Sequence, residues 1–189
     1  MADEQRVHDP RVLRAIAHPV RNRILGELAA GGPMRAADIA RELDIPANQA
    51  SFHLRQLAKY GLVEEDPDAA RDRRDRVWRE APGGRLAVSF SELATEPGGP
   101  AAVDVFRSHT ATWARLLVDR ALGPHEKGTG VHTVMEQTVR LTDAEAEQMR
   151  RELADLVEGW ADRTRGRDDD RRTYVALQVL LPYPDLEQG

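Results

Sequence analysis

Within nine positions, Ala47-Asn48-Gln49-Ala50-Ser51-Phe52-His53-Leu54-Arg55 gathers two carboxamides, a hydroxyl, an imidazole and a guanidinium. These are groups for hydrogen-bonded recognition. A carboxamide presents a donor beside an acceptor and can bond the edge of adenine twice, a pairing worth about 1–3 kcal/mol of discrimination, so Asn48 and Gln49 are the first candidates. Ser51, His53 and Arg55 can bond bases or phosphates, and Ala47 and Phe52 share their turns; for His53 the alternative is a ring packed against the preceding helix. A second cluster, Arg71, Arg73, Arg74 and Arg76, suits a phosphate backbone or a narrow minor groove, weakened by the interleaved Asp72 and Asp75. Its alternative is a solvated charged loop. Arg35 is a further phosphate candidate. The chain has no cysteine, which removes a thiolate metal site, a cysteine nucleophile and a disulfide framework. No phosphate loop or nucleophile elbow occurs either, so no catalytic residue and no cofactor are expected.

Whole-chain charge runs against a polyanionic partner. With 27 Lys+Arg and 32 Asp+Glu, the 189 residues carry a net −5, whereas a basic patch is the footprint of a nucleic-acid binder. The charge is polarised, however. Residues 10–80 hold 13 basic against 11 acidic side chains (+2), and residues 81–189 hold 13 against 18 (−5). The length allows one domain of ordinary size or two small ones. The first residues lack a signal-like apolar core and no run approaches about 18 apolar residues, which implies a soluble cytoplasmic protein with no membrane partner.

Presenting residues 47–55 to a ligand requires a helix braced from behind, and the apolar periodicity supplies it. Val12, Leu13, Ile16 and Ala17 mark a first helix after Pro10. His18-Pro19 ends it and opens another, with Val20, Ile24, Leu25 and Leu28 on one face. Ala36, Ile39, Ala40 and Leu43 give a third. After Asp44-Ile45-Pro46 comes a fourth, over 47–60, whose Ala50, Leu54, Leu57 and Ala58 recur at helical spacing until Gly61. Residues 62–66 and 76–80 then read as strands of a hairpin with a charged tip, a wing over 67–76. Pro82-Gly83-Gly84 and Pro97-Gly98-Gly99-Pro100 are strong breakers, which places a first domain at 9–81 and a second module at 100–189.

Two short helices joined by a tight turn and followed by a hairpin have the layout of a winged helix-turn-helix. Residues 13–25, LRAIAHPVRNRIL, together with Ser51-Phe52-His53-Leu54-Arg55-Gln56-Leu57 and Gly61-Leu62-Val63, resemble ArsR-type bacterial transcriptional regulators over about residues 9–81. The resemblance implies a homodimer on double-stranded DNA, acting as a repressor, with the 47–60 helix in the major groove, the wing on backbone or minor groove, and Leu54 and Leu57 facing inward. It also implies that the helix following the wing makes the dimer interface. One departure stands out: Pro46 occupies a place where the family has a Ser or Thr cap, and it offers no side-chain oxygen. Metal sensing, common in the family, is not expected, because Asp104 and His109 are five apart and fall on different helix faces. His125, Glu126 and His132 lie in a Gly-rich connection without ligand spacing.

In the second module, residues 101–122 form a long helical pattern whose stripe includes Val103, Phe106, Thr110, Trp113 and Leu117, the expected dimer contacts. Residues 131–141 alternate as a strand. Thr142-Asp143-Ala144-Glu145 is a capping box opening an amphipathic helix, and 173–181 is an almost continuously apolar strand. Two strands alone are marginal, so they pair with each other under a helix or add to a partner's sheet. A small-molecule effector pocket among Met135, Met149, Trp160 and Tyr174 is one reading, and plain core the other. The expected fold is thus mainly α with small β: a winged helix-turn-helix, a long dimerisation helix and a helix–strand–helix–strand module. The principal alternative to a DNA-binding regulator is a winged-helix protein-interaction module, for which Phe52 is the one supporting residue.

Overall fold

The structure, a computed structural model, describes residues 4–7, 9–69, 76–82, 85–126, 130–167 and 171–183. Helix α1 (Pro10–Ile16) starts at Asp9, whose carboxylate accepts the Arg11 amide at 2.7 Å, with Pro10 in the first turn, where its missing N–H costs nothing. Pro19 opens α2 (Pro19–Gly31) in the same way. Arg21 ties the two together, since its Nε donates to the Ala15 carbonyl at 2.7 Å and its Nη2 to that of Arg14 at 3.1 Å. Those are carbonyls that the end of α1 leaves open.

A short strand β2 (Met34–Arg35) leads into α3 (Ala36–Leu43). Asp44 ends α3 in the left-handed conformation, φ 53°, one that Asp tolerates better than most side chains. The Ile45 amide then bonds the Ala40 carbonyl at 3.0 Å, and Pro46 starts α4 (Ala47–Lys59). Strands β3 (Val63–Glu65) and β4 (Val77–Glu80) form the hairpin, with Val63 opposite Glu80 and Glu65 opposite Trp78. Strand β2 joins the outer side of β4, so the sheet order is β2-β4-β3, all antiparallel. Leu13, Ile24, Ile39, Leu54, Leu57 and Val63 pack at the centre, fully buried. This is a winged helix-turn-helix, mostly helical with a small three-stranded sheet.

The core does not stop at residue 81. Strand β5 (Arg85–Val88) returns to pair in parallel with β1 (Glu4–Val7). After the short α5 (Phe90–Leu93), the first turns of α6 (Gly99–Leu122) insert Ala102 and Val103 into the same cluster as Leu13 and Leu93. Gly98, at φ 77°, makes the turn, and Gly99 lies so close to the Leu93 carbonyl that a Cβ would overlap its oxygen. Gly99→Ala is therefore expected to destabilise by about 1–3 kcal/mol through backbone displacement at this junction. Urea melts would read it as a lower midpoint; an unchanged midpoint would mean that α5 and α6 part without cost.

Helix α7 (Asp143–Thr164) carries the capping box expected from its sequence: the Glu145 amide donates to Thr142 Oγ1 at 3.3 Å, and the Thr142 amide to Glu145 Oε2 at 2.8 Å. Its C-terminus meets the end of α2, where the Arg165 guanidinium bonds the Ala29 carbonyl and the Gly166 amide that of Gly31, both at 3.1 Å. No residue of α7 is buried. The strands expected over 131–141 and 173–181 are not formed: both segments run without helix or ladder, and most of their apolar side chains are exposed. Neither segment is seated in a ladder among the described residues, and strand propensity cannot substitute for a seated partner.

Candidate nucleic-acid interface

Helix α4 divides sharply by face. Ala50, His53, Leu54 and Leu57 are buried, and at about 100° per residue they occupy one arc of the helix. The opposite arc is Asn48, Phe52, Arg55 and Lys59, all exposed, with exposed Gln49 on one flank and half-buried Ser51 on the other. The helix-turn-helix thus presents amides, a hydroxyl and a guanidinium along one outward ridge. Ala47 sits at its exposed start.

Local bonding separates the two amides. Pro46 provides no cap, and Asn48 Oδ1 instead accepts the Gln49 amide N–H at 2.9 Å. The Asn48 acceptor is thereby engaged within the helix start, whereas the Gln49 side chain is exposed, which leaves its carboxamide the better placed of the two to bond a ligand. Phe52 is 49% exposed, an apolar disc in the middle of a polar ridge.

His53 does not join that ridge. Only 5% exposed, its ring packs 4.7 Å from that of His18 and edge-on to Phe52 at 5.3 Å. The packed alternative is the one realised, and His53 does not reach the outward ridge. His18, at the start of α2, and Arg21 behind it are the residues sequence reading missed. Nδ1 of each histidine is buried without a hydrogen-bond partner. Burial first, then the positive charge of Arg21, holds both imidazoles below the ordinary histidine range; His18 also faces His53 and His109 of α6, and Tyr60 stands near Arg21. The unfolded chain therefore takes up protons more readily than the folded one. The stability involved is fully present above about pH 6.5 and is lost as pH falls toward the lowered folded values. The melting temperature should drop between pH 7 and pH 5, and less so in His53→Phe; a flat profile in the wild type would refute this account.

Arg35 forks onto Asp38, Nε to Oδ2 at 2.7 Å and Nη2 to Oδ1 at 3.1 Å, and this bond holds the Asp38 carboxyl below its usual range. It braces the start of α3, so a phosphate would have to compete with Asp38 for it. The root of the wing is similarly self-paired: Arg76 lies 3.5 Å from Glu65, and Arg79 bonds Glu64 at 2.7 Å with Asp66 at 3.8 Å. Asp66, buried, accepts the amides of Asp68 and Ala69 and starts the turn into the tip. Arg71, Arg73 and Arg74 lie outside the described residues.

Of the expected dimer contacts, Val103 is 4% exposed inside its own chain's core and is not available to a partner. Phe106 leans on the same core and on Phe90, ring centroids 5.7 Å apart. Thr110 is exposed, and Trp113 and Leu117 are half-buried. The proposed effector lining is not assembled either, because Met135, Trp160 and Tyr174 are exposed. A cavity of about 700 Å³ forms an apolar groove between α2 and α6, walled by Leu25, Phe106, Trp113, Leu116 and Leu177 with Glu80 at its edge. Burial raises the Glu80 carboxyl above its ordinary range, opposed by Arg165. Among the described residues no three metal-ligating side chains converge, and no helix is long and apolar enough to cross a membrane.

Residues 16–66 match the model of a helix-turn-helix domain. That span runs from the end of α1 through the first strand of the wing and contains the whole outward ridge of α4. No curated protein matches the chain. Among solved structures it is similar to a C30AH42A mutant of ZitR from Lactococcus lactis in the apo form, at 19% identity over 76% of this chain and 83% of that one, TM-score 0.34. It is also similar to a MepR–DNA complex of S. aureus, at 21% over 74% and 77%, TM-score 0.34. For YusO of Bacillus subtilis the figures are 16% over 79% and 83%, TM-score 0.35. The fold assignment rests on the elements themselves and on the helix-turn-helix match.

Proposed function

We propose that this protein is a sequence-specific DNA-binding transcription regulator of ArsR-like type, acting as a homodimeric repressor. The observation that carries the reading is the outward ridge of α4, where a helix of the right diameter for the major groove offers Gln49, Asn48, Ser51 and Arg55 and buries its apolar side behind them. Arg71, Arg73, Arg74 and Arg76 of the wing are assigned to phosphates or the minor groove. Trp113 and Leu117 of α6 are assigned to the dimer contact, and the groove beside them is open to a small-molecule effector. The placement is cytoplasmic, with duplex DNA and a second copy as partners.

A genome-wide pull-down of duplex fragments tests this directly: enriched fragments should share a two-fold site, and affinity should fall as salt rises, because each phosphate contact releases counterions. Gln49→Ala should cost about 1–3 kcal/mol at its base pair and relax preference there, while Arg74→Ala should weaken all sequences alike. Equal effects of the two variants on specific and random duplexes would refute the division of roles. The exposed ring of Phe52 favours one second reading, a winged helix that docks on protein. That reading gains if no duplex is retained at low salt.

A further inference from the structure

The chain exposes far more surface than a compact protein of its mass. Its accessible area is 14212 Å², where a folded monomer of 21.1 kDa has about 9,000 Å². Even half of the excess, doubled across two copies, reaches the roughly 2,000–5,000 Å² typical of obligate homodimers. Among the described residues, α7 buries nothing, and Val131, Met135, Tyr174, Val175, Val179 and Leu181 are each at least half exposed. The last four belong to residues 173–181, which form neither helix nor ladder and so offer another chain a segment to pair with.

We propose that residues 173–181 form a strand that pairs antiparallel with the same residues of a second copy, across the two-fold axis of the dimer. The sequence of the run makes it complementary to itself. Its nine residues, Thr173 to Leu181, contain no charge, so self-pairing sets no like charges opposite one another. Centred on Leu177, the pairing puts Val175 opposite Val179 and Tyr174 opposite Leu180, β-branched on β-branched and aromatic on aliphatic. The run is anchored at its start, where Thr173 Oγ1 donates to Glu27 at 2.8 Å, and at its centre Leu177 lies against the groove between α2 and α6, while Tyr174, Val175, Val179 and Leu181 are exposed. The Val131 amide bonds the Tyr174 hydroxyl at 3.3 Å, which brings the start of the 131–141 segment to the run, and a further strand beside the pair is what a two-stranded ribbon needs. In that segment Glu136 and Arg140 are four apart and of opposite sign, so its charges do not prevent a shared sheet. This deepens the homodimer part of the reading above and is independent of DNA binding.

Because the native chain lacks cysteine, the register can be tested in the full-length protein. Antiparallel partners lie about 4.5–5.5 Å apart at Cα, within disulfide range. On mild oxidation Leu177→Cys should link two copies and Val179→Cys alone should not, while Val175→Cys with Val179→Cys should. Hydrogen exchange of the wild-type dimer should show 173–181 protected at least tenfold over a free peptide. A dimer by sedimentation whose 173–181 amides exchange at the free-peptide rate overturns the strand and leaves the DNA reading standing. A monomer at every concentration overturns both the strand and the homodimer. Linked copies that retain no duplex uphold the strand and sink the DNA reading.

Discussion

Leu54→Ala should cost the protein about 2–5 kcal/mol, a large part of the roughly 5–15 kcal/mol that holds a domain together. Leu54 is 0% exposed and lies on the inner arc of α4, in one cluster with Ile24 of α2 and Ile39 of α3. Removing its isobutyl group forfeits its transfer free energy and leaves a cavity that three helices joined by tight turns cannot close. Asp44 and Pro46 fix the α3–α4 turn, and Arg21 fixes the α1–α2 junction, so the surrounding backbone has little freedom to collapse. The urea midpoint should fall at unchanged slope. Ser51→Ala, half-buried on the outward side of the same helix, should stay within about 0.5 kcal/mol of wild type. If the two variants melt alike, α4 is not seated on this core and the ridge is not held in the orientation described.

That seating was legible in the sequence because it is periodic. Ala50, Leu54 and Leu57 recur at helical spacing, and Asp44-Ile45-Pro46 and Gly61 punctuate the helix at both ends, so the ridge of Asn48, Gln49 and Arg55 follows by subtraction. Long-range choices were not legible. Met34-Arg35 is too short to carry a pattern, and it becomes a strand only because β4 arrives beside it. His53 is equally suited to a phosphate or to a packed ring; the decision is made by His18, 35 positions earlier, whose ring occupies the space beneath it. Val103 belongs by spacing to the α6 stripe, yet the Gly98-Gly99 turn presses the first turns of α6 against Leu93 and assigns it to its own core. The residues 131–141 and 173–181 have strand composition without a ladder partner among the described residues, and composition does not state where a partner comes from.

The second large effect is expected on affinity rather than stability. Leu116 lies on α6, 43% exposed, on the rim of the groove between α2 and α6. A glutamate there meets water in a separate chain and costs that chain little, but in an interface between two α6 helices it buries an unpaired carboxylate and, by symmetry, acts on both sides of the contact. Leu116→Glu should therefore yield a folded protein that sediments as a monomer. Its hold on a two-fold site should drop about 10²–10⁴-fold, because the second half-site contact is no longer made at the high effective concentration that linkage provides. The residual binding should have a shallower salt dependence, since fewer phosphates are engaged at once. The +2 charge of residues 10–80 makes the loss of the second half-site severe: one reading domain with so small a basic excess has little non-specific attraction to fall back on. Sedimentation and duplex titration on the same preparation decide the matter. Full affinity from a monomeric variant would show that one chain reads its site alone, and retained dimer with retained affinity would move the dimer contact away from this face of α6.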